Sequence, residues 1–382
     1  MLRSLFSGIS GLRAHQTMLD VTGNNIANVN TTGFKASQVQ FADTLSQLVQ
    51  SAGSPQGGVG GTNPAQIGLG VRTAGINTNF QQGAAQLTNR STDMMISGDG
   101  FFVVRNGNQQ LFTRAGAFSF DATGQLVTTD GSLVQGWAAD ATGAVDQNQP
   151  LTDLRLPIAT LMGARASTGA TFEGNLPDDA AVGTVVNRMI DTYDAAGNAV
   201  QLSLAFTRTA AGWDVAGARG AATATGAVAF NPDGTLASGG ALTVGGVAVN
   251  LGALTGYAGI TSVEPVTQDG RAAGTLQSFT ITADGTLLGS FSNGLKQAVG
   301  QVALAAFSNP NGLEKAGNST YRTSVNSGEP AVGQAGTNGR GTLTGGTLEM
   351  SNVDLSAEFT SLIIAQRGFQ ANSRVITTAD ER

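Results

Sequence analysis

The sequence predicts an α+β fold that is mainly β, with terminal α-helices forming a coiled-coil-like stem and two nested β domains between them. Three observations carry this expectation. Leu2, Leu5, Ile9, Leu12, Gln16 and Leu19 follow one another by steps of three and four, and Leu355, Phe359, Leu362, Gln366, Phe369, Ser373 and Ile376 do the same at the other end. Stepping with a period of about 3.5 is the seam of a helix that lies lengthwise on another. Between the ends the apolar period drops to two, and short β-rich runs are punctuated by Asn-Gly and Asp-x-Gly turns. A stretch richer in Ala, Thr and Val, from about 144 to 273, interrupts these hairpins and reads as an inserted domain.

In chain order, the first helix carries its stripe to Ile26, but glycines at 8, 11 and 23 weaken it. Polar breaks at Gln16, Gln366 and Ser373 suit seams shared among several helices. A single stripe of this width does not offset the entropy of ordering its helix, so each helix needs neighbours. The run Gly23-Asn24-Asn25-Ile26-Ala27-Asn28-Val29-Asn30-Thr31-Thr32-Gly33-Phe34-Lys35 closes the helix and turns the chain, because Asn and Gly tolerate left-handed backbone. Phe41 to Val49 reads as a short helix or an extended arm, and Ser51 to Gly70 as a flexible Gly/Ser/Pro/Gln loop.

Hairpins are expected at Phe101 to Thr113 around Asn106-Gly107-Asn108, and at Ala117 to Thr128 around Asp121-Ala122-Thr123-Gly124. The phrase returns at Phe279 to Phe291 around Asp284-Gly285, and in shorter form at Phe230 to Leu236. Asp354 stands where an N-cap for the last helix belongs. The expected domains are a terminal helical domain (1–34 plus 352–382), a linker and extended arm (35–90), a middle β domain (91–143 plus 274–351) and the inserted outer β domain (144–273).

Composition narrows the function. Charged residues are 12% of the chain, glycine supplies 54 of 382 positions and the net charge is −6, a balance typical of turn-rich extracytoplasmic β proteins. With three lysines and no basic cluster, nucleic acid is not an expected partner, since phosphate binding needs grouped Lys and Arg. There is no cysteine, so disulfides and thiolate metal sites are excluded. No unbroken run of 18 apolar residues exists, so no membrane insertion is expected. Ser4, Ser7, Gly8, Ser10 and Gly11 interrupt any signal-peptide core behind Arg3, so an export route would leave the N-terminus uncleaved.

The single histidine, His15, lies off the helix seam and reads as interfacial or solvated. Gly339-Arg340-Gly341 with Gly345 and Gly346 lacks the strand-turn-helix setting of a dinucleotide loop. Asp121, Asp194, Asp233 and Asp284 fall in turns where aspartate caps its own backbone; calcium is the alternative there. No catalytic residue, metal site or cofactor is expected, and the chain does not read as an enzyme.

Several phrases then point to a family. They are Asn24-Asn25-Ile26-Ala27-Asn28 with Thr32-Gly33-Phe34-Lys35, Gly98-Asp99-Gly100-Phe101-Phe102, Asp121 with Gly124 to Val127, and Phe307 with Asn309-Pro310 and Gly312-Leu313. Leu348-Glu349 with Ser351-Asn352-Val353-Asp354, and Gln366-Arg367 with Phe369 and Ala371-Asn372, complete the set. In this order they resemble the axial proteins of the bacterial flagellum, the rod and hook family, over both ends and the middle domain.

That resemblance implies a structural subunit without catalysis, located in the bacterial flagellum outside the cell. It implies passage through the flagellar export apparatus with disordered termini, then growth into a helical tubular homopolymer whose inner tube is lined by the terminal helices. The seam residues Leu2, Leu5, Ile9, Leu12, Leu19, Ile26, Leu355, Phe359, Leu362, Phe369 and Ile376 become the expected polymerisation residues. Asn24, Asn25, Asn28, Gly33, Phe34, Asn352, Asp354, Gln366 and Arg367 become the family-motif residues. The inserted domain resembles the hook members, which implies a short curved tube acting as a universal joint that transmits torque from rod to filament. Distal rod, hook cap and hook-filament junction proteins are then the implied neighbours.

A straight distal rod subunit of the same family and a secreted β-rich adhesin using Trp137 and Trp213 are the alternatives. Family members usually carry more amphipathic helix beyond the stretch Thr377 to Glu381, so a chain ending at Arg382 is expected to assemble less readily than one extended there.

Overall fold

The computed structural model describes residues 2–55, 57–58, 60–156 and 161–380. The chain forms two compact units, one of Met1–Leu156, Phe279–Leu288 and Ala298–Arg382, the other of Pro157–Ser278 and Gly289–Gln297. The terminal helices, the arm and the hairpins around Phe101 all belong to the first unit. The second unit begins at Pro157 rather than at 144, because residues 145–153 return to the first unit's sheet. Thr152–Asp153 pairs with the strand Leu133–Ala138, and the Trp137 indole N–H donates to the Gln149 carbonyl at 3.0 Å.

In the first unit, helix α1 (Leu2–Ala27) and helix α2 (Leu355–Asp380) run antiparallel. Gly8 lies beside Ile376, and Asn25 beside Glu358. The stretch that sequence left open between short helix and arm is extended. Ser37–Asp43 pairs antiparallel with Val71–Thr78 across a bulge at Gln40/Phe41, and Ser46–Gln50 pairs with Ala65–Gly68. The expected loop at 51–70 therefore contributes a strand, because Ile67 and its neighbours satisfy the backbone groups of Ser46–Gln50.

The sheet of this unit is built on the hairpin Phe101–Asn106 and Gln109–Thr113, flanked by Leu133–Ala138 and Thr320–Arg322. Phe101, Phe102, Val103 and Val104 are all buried, without the alternation of a half-exposed strand. The cause is cover on both faces. Phe101 and Val103 join Phe112, Trp137 and Tyr321 in one cluster. Phe102 meets Phe118 edge-on at 5.1 Å. Hairpin turns rest on glycines with positive φ at Gly107, Gly124 and Gly285, as the Asn-Gly and Asp-x-Gly spacing requires.

The second unit holds a five-stranded antiparallel sheet in sequential order: Val185–Tyr193, Ala199–Thr209, Gly212–Arg219, Ala222–Phe230 and Leu236–Ser238. Its four-stranded sheet is ordered Ala241–Val244, Val247–Thr255, Gly169–Asn175, Glu264–Gln268, with Gly169–Asn175 parallel to Val247–Thr255. Leu202, Leu204 and Phe206 from one sheet share a core with Phe172, Val249 and Leu251 from the other.

Candidate functional site: the paired chain ends and their polar junction

The contact between α1 and α2 is made by small residues. A Cβ at Gly8 would lie 3.3 Å from Ile376, one at Gly11 would lie 2.7 Å from the Asn372 amide, and one at Gly368 would lie 2.5 Å from the His15 ring. Ala14 and Ala365 are buried as well. Gly8 and Gly11, which weaken α1 as an isolated helix, are thus what lets the two backbones approach, whereas Gly23 faces open space. The expected seam residues stand in and around this contact, Ile376 among them. Leu5, Ile9, Leu12, Leu19, Ile26, Leu362 and Ile376 are only half-buried, while Leu355, Phe359 and Phe369 are exposed. The side chain of Leu2, and residues 381–382 beyond α2, lie outside the described residues. His15 is interfacial, with its Nδ1 buried and unpaired.

Beyond the helices, three chain segments knit into a polar junction. Asn25, on the last turns of α1, donates through Nδ2 to the Ser37 carbonyl and to Glu358 Oε1, both at 2.8 Å, and accepts the Ser37 N–H on Oδ1 at 3.0 Å. Asn352 mirrors it from the other end: its Oδ1 accepts the Ala36 N–H at 2.8 Å, and its Nδ2 donates to the Asn79 and Gln81 carbonyls. Asp354 caps α2, accepting the Ser356 N–H at 2.8 Å. Asn28 donates back to the Asn24 carbonyl at 2.9 Å and so ends α1. Gly33 turns at φ +67 and donates its N–H to the Glu349 carbonyl at 2.8 Å. Phe34 offers its ring face to the Lys315 ammonium at 5.2 Å. Gln366 and Arg367 face solvent, and Arg367 donates to Gln370 on its own helix.

At the centre of the junction lies an ion cluster that the motif assignment did not single out. Lys35 Nζ donates to Glu349 Oε1 at 2.7 Å with both side chains wholly buried, and Arg114 Nη1 stands 3.5 Å from Glu349 Oε2. Lys35 also donates to the Gln81 carbonyl, and Glu349 accepts the Gly83 N–H. The Arg114 guanidinium sits over the Phe101 ring at 5.5 Å. Burial pulls the Lys35 ammonium below its usual range, against the opposing pull of Glu349. Burial likewise lowers Arg114 and raises the Tyr321 phenol nearby. The one available signal was that one of three lysines closes the motif Thr32-Gly33-Phe34-Lys35.

The turn aspartates cap their own loops. Asp121 accepts the Thr123 and Gln125 N–H groups, Asp194 those of Ala196 and Asn198, and Asp233 that of Thr235. Among the described residues, no group of three or more acidic or histidine side chains is arranged to hold a metal ion. No described helix is long and apolar enough to cross a membrane.

Residues 5–35 match the family described as "Flagella basal body rod protein", residues 95–169 the "Flagellar hook protein FlgE/F/G D1 domain", and residues 344–382 the "Flagellar basal body rod FlgEFG protein C-terminal". The chain is 37% identical to the flagellar hook protein FlgE of Borreliella burgdorferi, covering 100% of this chain and 98% of that one. It is 35% identical to FlgE of Escherichia coli over 98% and 96% of the two chains. To the flagellar basal-body rod protein FlgG of Bacillus subtilis it is 34% identical, over 100% and 96%. The crystal structure of Helicobacter pylori flagellar hook protein FlgE2 shares the fold, with a TM-score of 0.54 at 14% identity, covering 70% of this chain and 99% of that one. With full-length relatives at this identity and family matches at both ends and in the middle, the chain belongs to the flagellar hook and basal-body rod family.

Proposed function

We propose that the chain is a structural subunit of the flagellar hook, polymerising into a short curved tube that bends while it transmits torque from rod to filament. The observation that carries this is the unpartnered apolar surface of the terminal helices. Phe6 is 63% exposed, Phe359 51%, and Ile363 and Ile364 57% each. Leu355, Phe359 and Ile363 flank one side of the α1-facing stripe of α2, and Ile364 and Val375 flank the other. Two apolar flanks either side of a small-residue contact suit a helix with neighbours on several sides, as in a closed array of copies. The same exposure suits terminal helices that are marginal in the lone chain and gain protection on assembly, after passage through the export apparatus with an uncleaved N-terminus. Distal rod, hook cap and hook-filament junction proteins are the neighbours this role requires. The expected absence of catalysis accords with a family of structural flagellar components.

The full-length rod relative supports one rival, a straight rod subunit. Negative-stain electron microscopy of the concentrated full-length chain separates the two. Short curved tubes are expected. Straight tubes would favour the rod, and a chain that stays monomeric at every concentration would overturn both.

A further inference from the structure

Lys35 lies just beyond α1 and Glu349 just before α2, so the buried pair joins the two chain ends across a sequence separation of 314 residues. Each partner is also tied to the same short segment, residues 81–83. The ammonium has Glu349 Oε1 at 2.7 Å and the Gln81 carbonyl at 2.6 Å; the same carboxylate oxygen takes the Gly83 N–H at 2.9 Å. Arg114 raises the stakes. It is 2% exposed, its Nε and Nη1 have no hydrogen-bond partner, and Glu349 is the carboxylate at ion-pair distance from it.

We infer that Lys35, Glu349 and Arg114 form an interlock: the segment leaving α1 and the segment entering α2 take their buried places in a single cooperative step, neither before the other. The physical ground is an asymmetry of buried ion clusters. Removing one partner strands an uncompensated charge at high cost, whereas exchanging the whole cluster for apolar groups of similar volume is near neutral. If only the C-terminal segment were seated, Glu349 would be buried with Arg114 beside Oε2, while Oε1 would lack the Lys35 ammonium and keep only the Gly83 N–H. If only the N-terminal segment were seated, Lys35 and Arg114 would be two buried cations without Glu349, with only the exposed Asp99 acting on Arg114.

A chain whose ends arrive at different times would therefore leave both junction segments loose until the second arrives. That consequence for assembly rests on the hook reading; the interlock itself is a property of the monomer and is tested there.

The test is native-state hydrogen exchange of the full-length monomer at increasing urea below the unfolding transition. Two amides report the two sides without bonding across them: the Ser37 N–H, held by Asn25 Oδ1, and the Met350 N–H, held by the Ala84 carbonyl at 2.9 Å. The interlock predicts that they merge into one opening isotherm. In Glu349→Gln both amides should exchange faster together, by a factor of about one hundred to one thousand. In the triple variant Lys35→Met, Arg114→Met, Glu349→Leu, protection should return to within about tenfold of the parent, but with the two amides opening independently. Separate isotherms in the parent chain would overturn the inference. So would Glu349→Gln exposing Met350 while leaving Ser37 protected. If Glu349→Gln does not fold, the parent isotherms and the triple variant still decide.

Discussion

Substituting Gly33 by alanine should loosen the junction about as much as breaking the ion cluster beside it. Gly33 sits at φ +67, and a Cβ there would lie 2.4 Å from the Ala115 amide nitrogen and 2.7 Å from its Cα. These are backbone atoms that cannot rotate away. The left-handed conformation costs a non-glycine residue about 1–2 kcal/mol. Forcing residues 114 and 115 aside adds about 1–3 kcal/mol by analogy with overpacking. The stiffer unfolded chain returns about 0.4–1 kcal/mol. The net loss is about 2–4 kcal/mol. Arg114 moves with the displaced backbone, so the cluster with Glu349 is disturbed as well.

The assay is urea unfolding of the first unit, read from amide exchange in the strand Phe101–Asn106, with a midpoint lowered by about 1–2 M for a typical urea dependence. A Gly33→Ala chain within about 0.5 kcal/mol of the parent would refute the reasoning.

Gly23→Ala should do the opposite: no atom lies within 4 Å of its Cβ position, so α1 gains about 0.8–1 kcal/mol of helix propensity, measurable by circular dichroism. Asp354→Ala removes the cap of α2 and should cost about 1 kcal/mol, with the amide protection lost in the assembled state confined to the Ser356 and Ala357 turn. Phe359→Ser should leave the monomer's urea midpoint unchanged, since the ring is 51% exposed, yet raise the concentration needed for polymer in a sedimentation assay. In the second unit, Asp269 is pushed up by burial, but the Thr168 hydroxyl and the Gly169 and Thr168 N–H groups outweigh this and hold it at about 2. A depressed carboxyl stabilises the fold above the ordinary aspartate range near pH 4 and loses that contribution as pH falls toward 2. Acid titration of Asp269→Asn should therefore show a shallower loss of stability between about pH 4 and pH 2.

The hairpins were legible because their determinants are local. Asp121, Asp194 and Asp233 cap turns two to four residues long, and a glycine with positive φ follows each. Asp354 was legible for the same reason. The close approach at Gly8, Gly11 and Gly368 was not legible, because the a/d rule assigns a seam to large side chains; Phe359 is exposed in the single chain. Composition hid the strand Ala65–Gly68 within a glycine-rich run, where pairing with Ser46–Gln50 overrides weak local preference. The edge of the inserted unit is not marked locally, because residues 145–153 look like loop and join the first unit by pairing of Thr152–Asp153 with Leu133–Ala138. Lys35 and Glu349 were visible as motif residues, but no local rule pairs charges so far apart.

In a hook subunit the terminal helices find their full set of partners only among other copies of the chain. Amide exchange of α1 and α2 in dilute monomer and in the assembled state measures this directly. Fast exchange along Leu355–Asp380 in the monomer, slowed by orders of magnitude on assembly, is the predicted result. Equal and strong protection of both helices in the lone chain would contradict it.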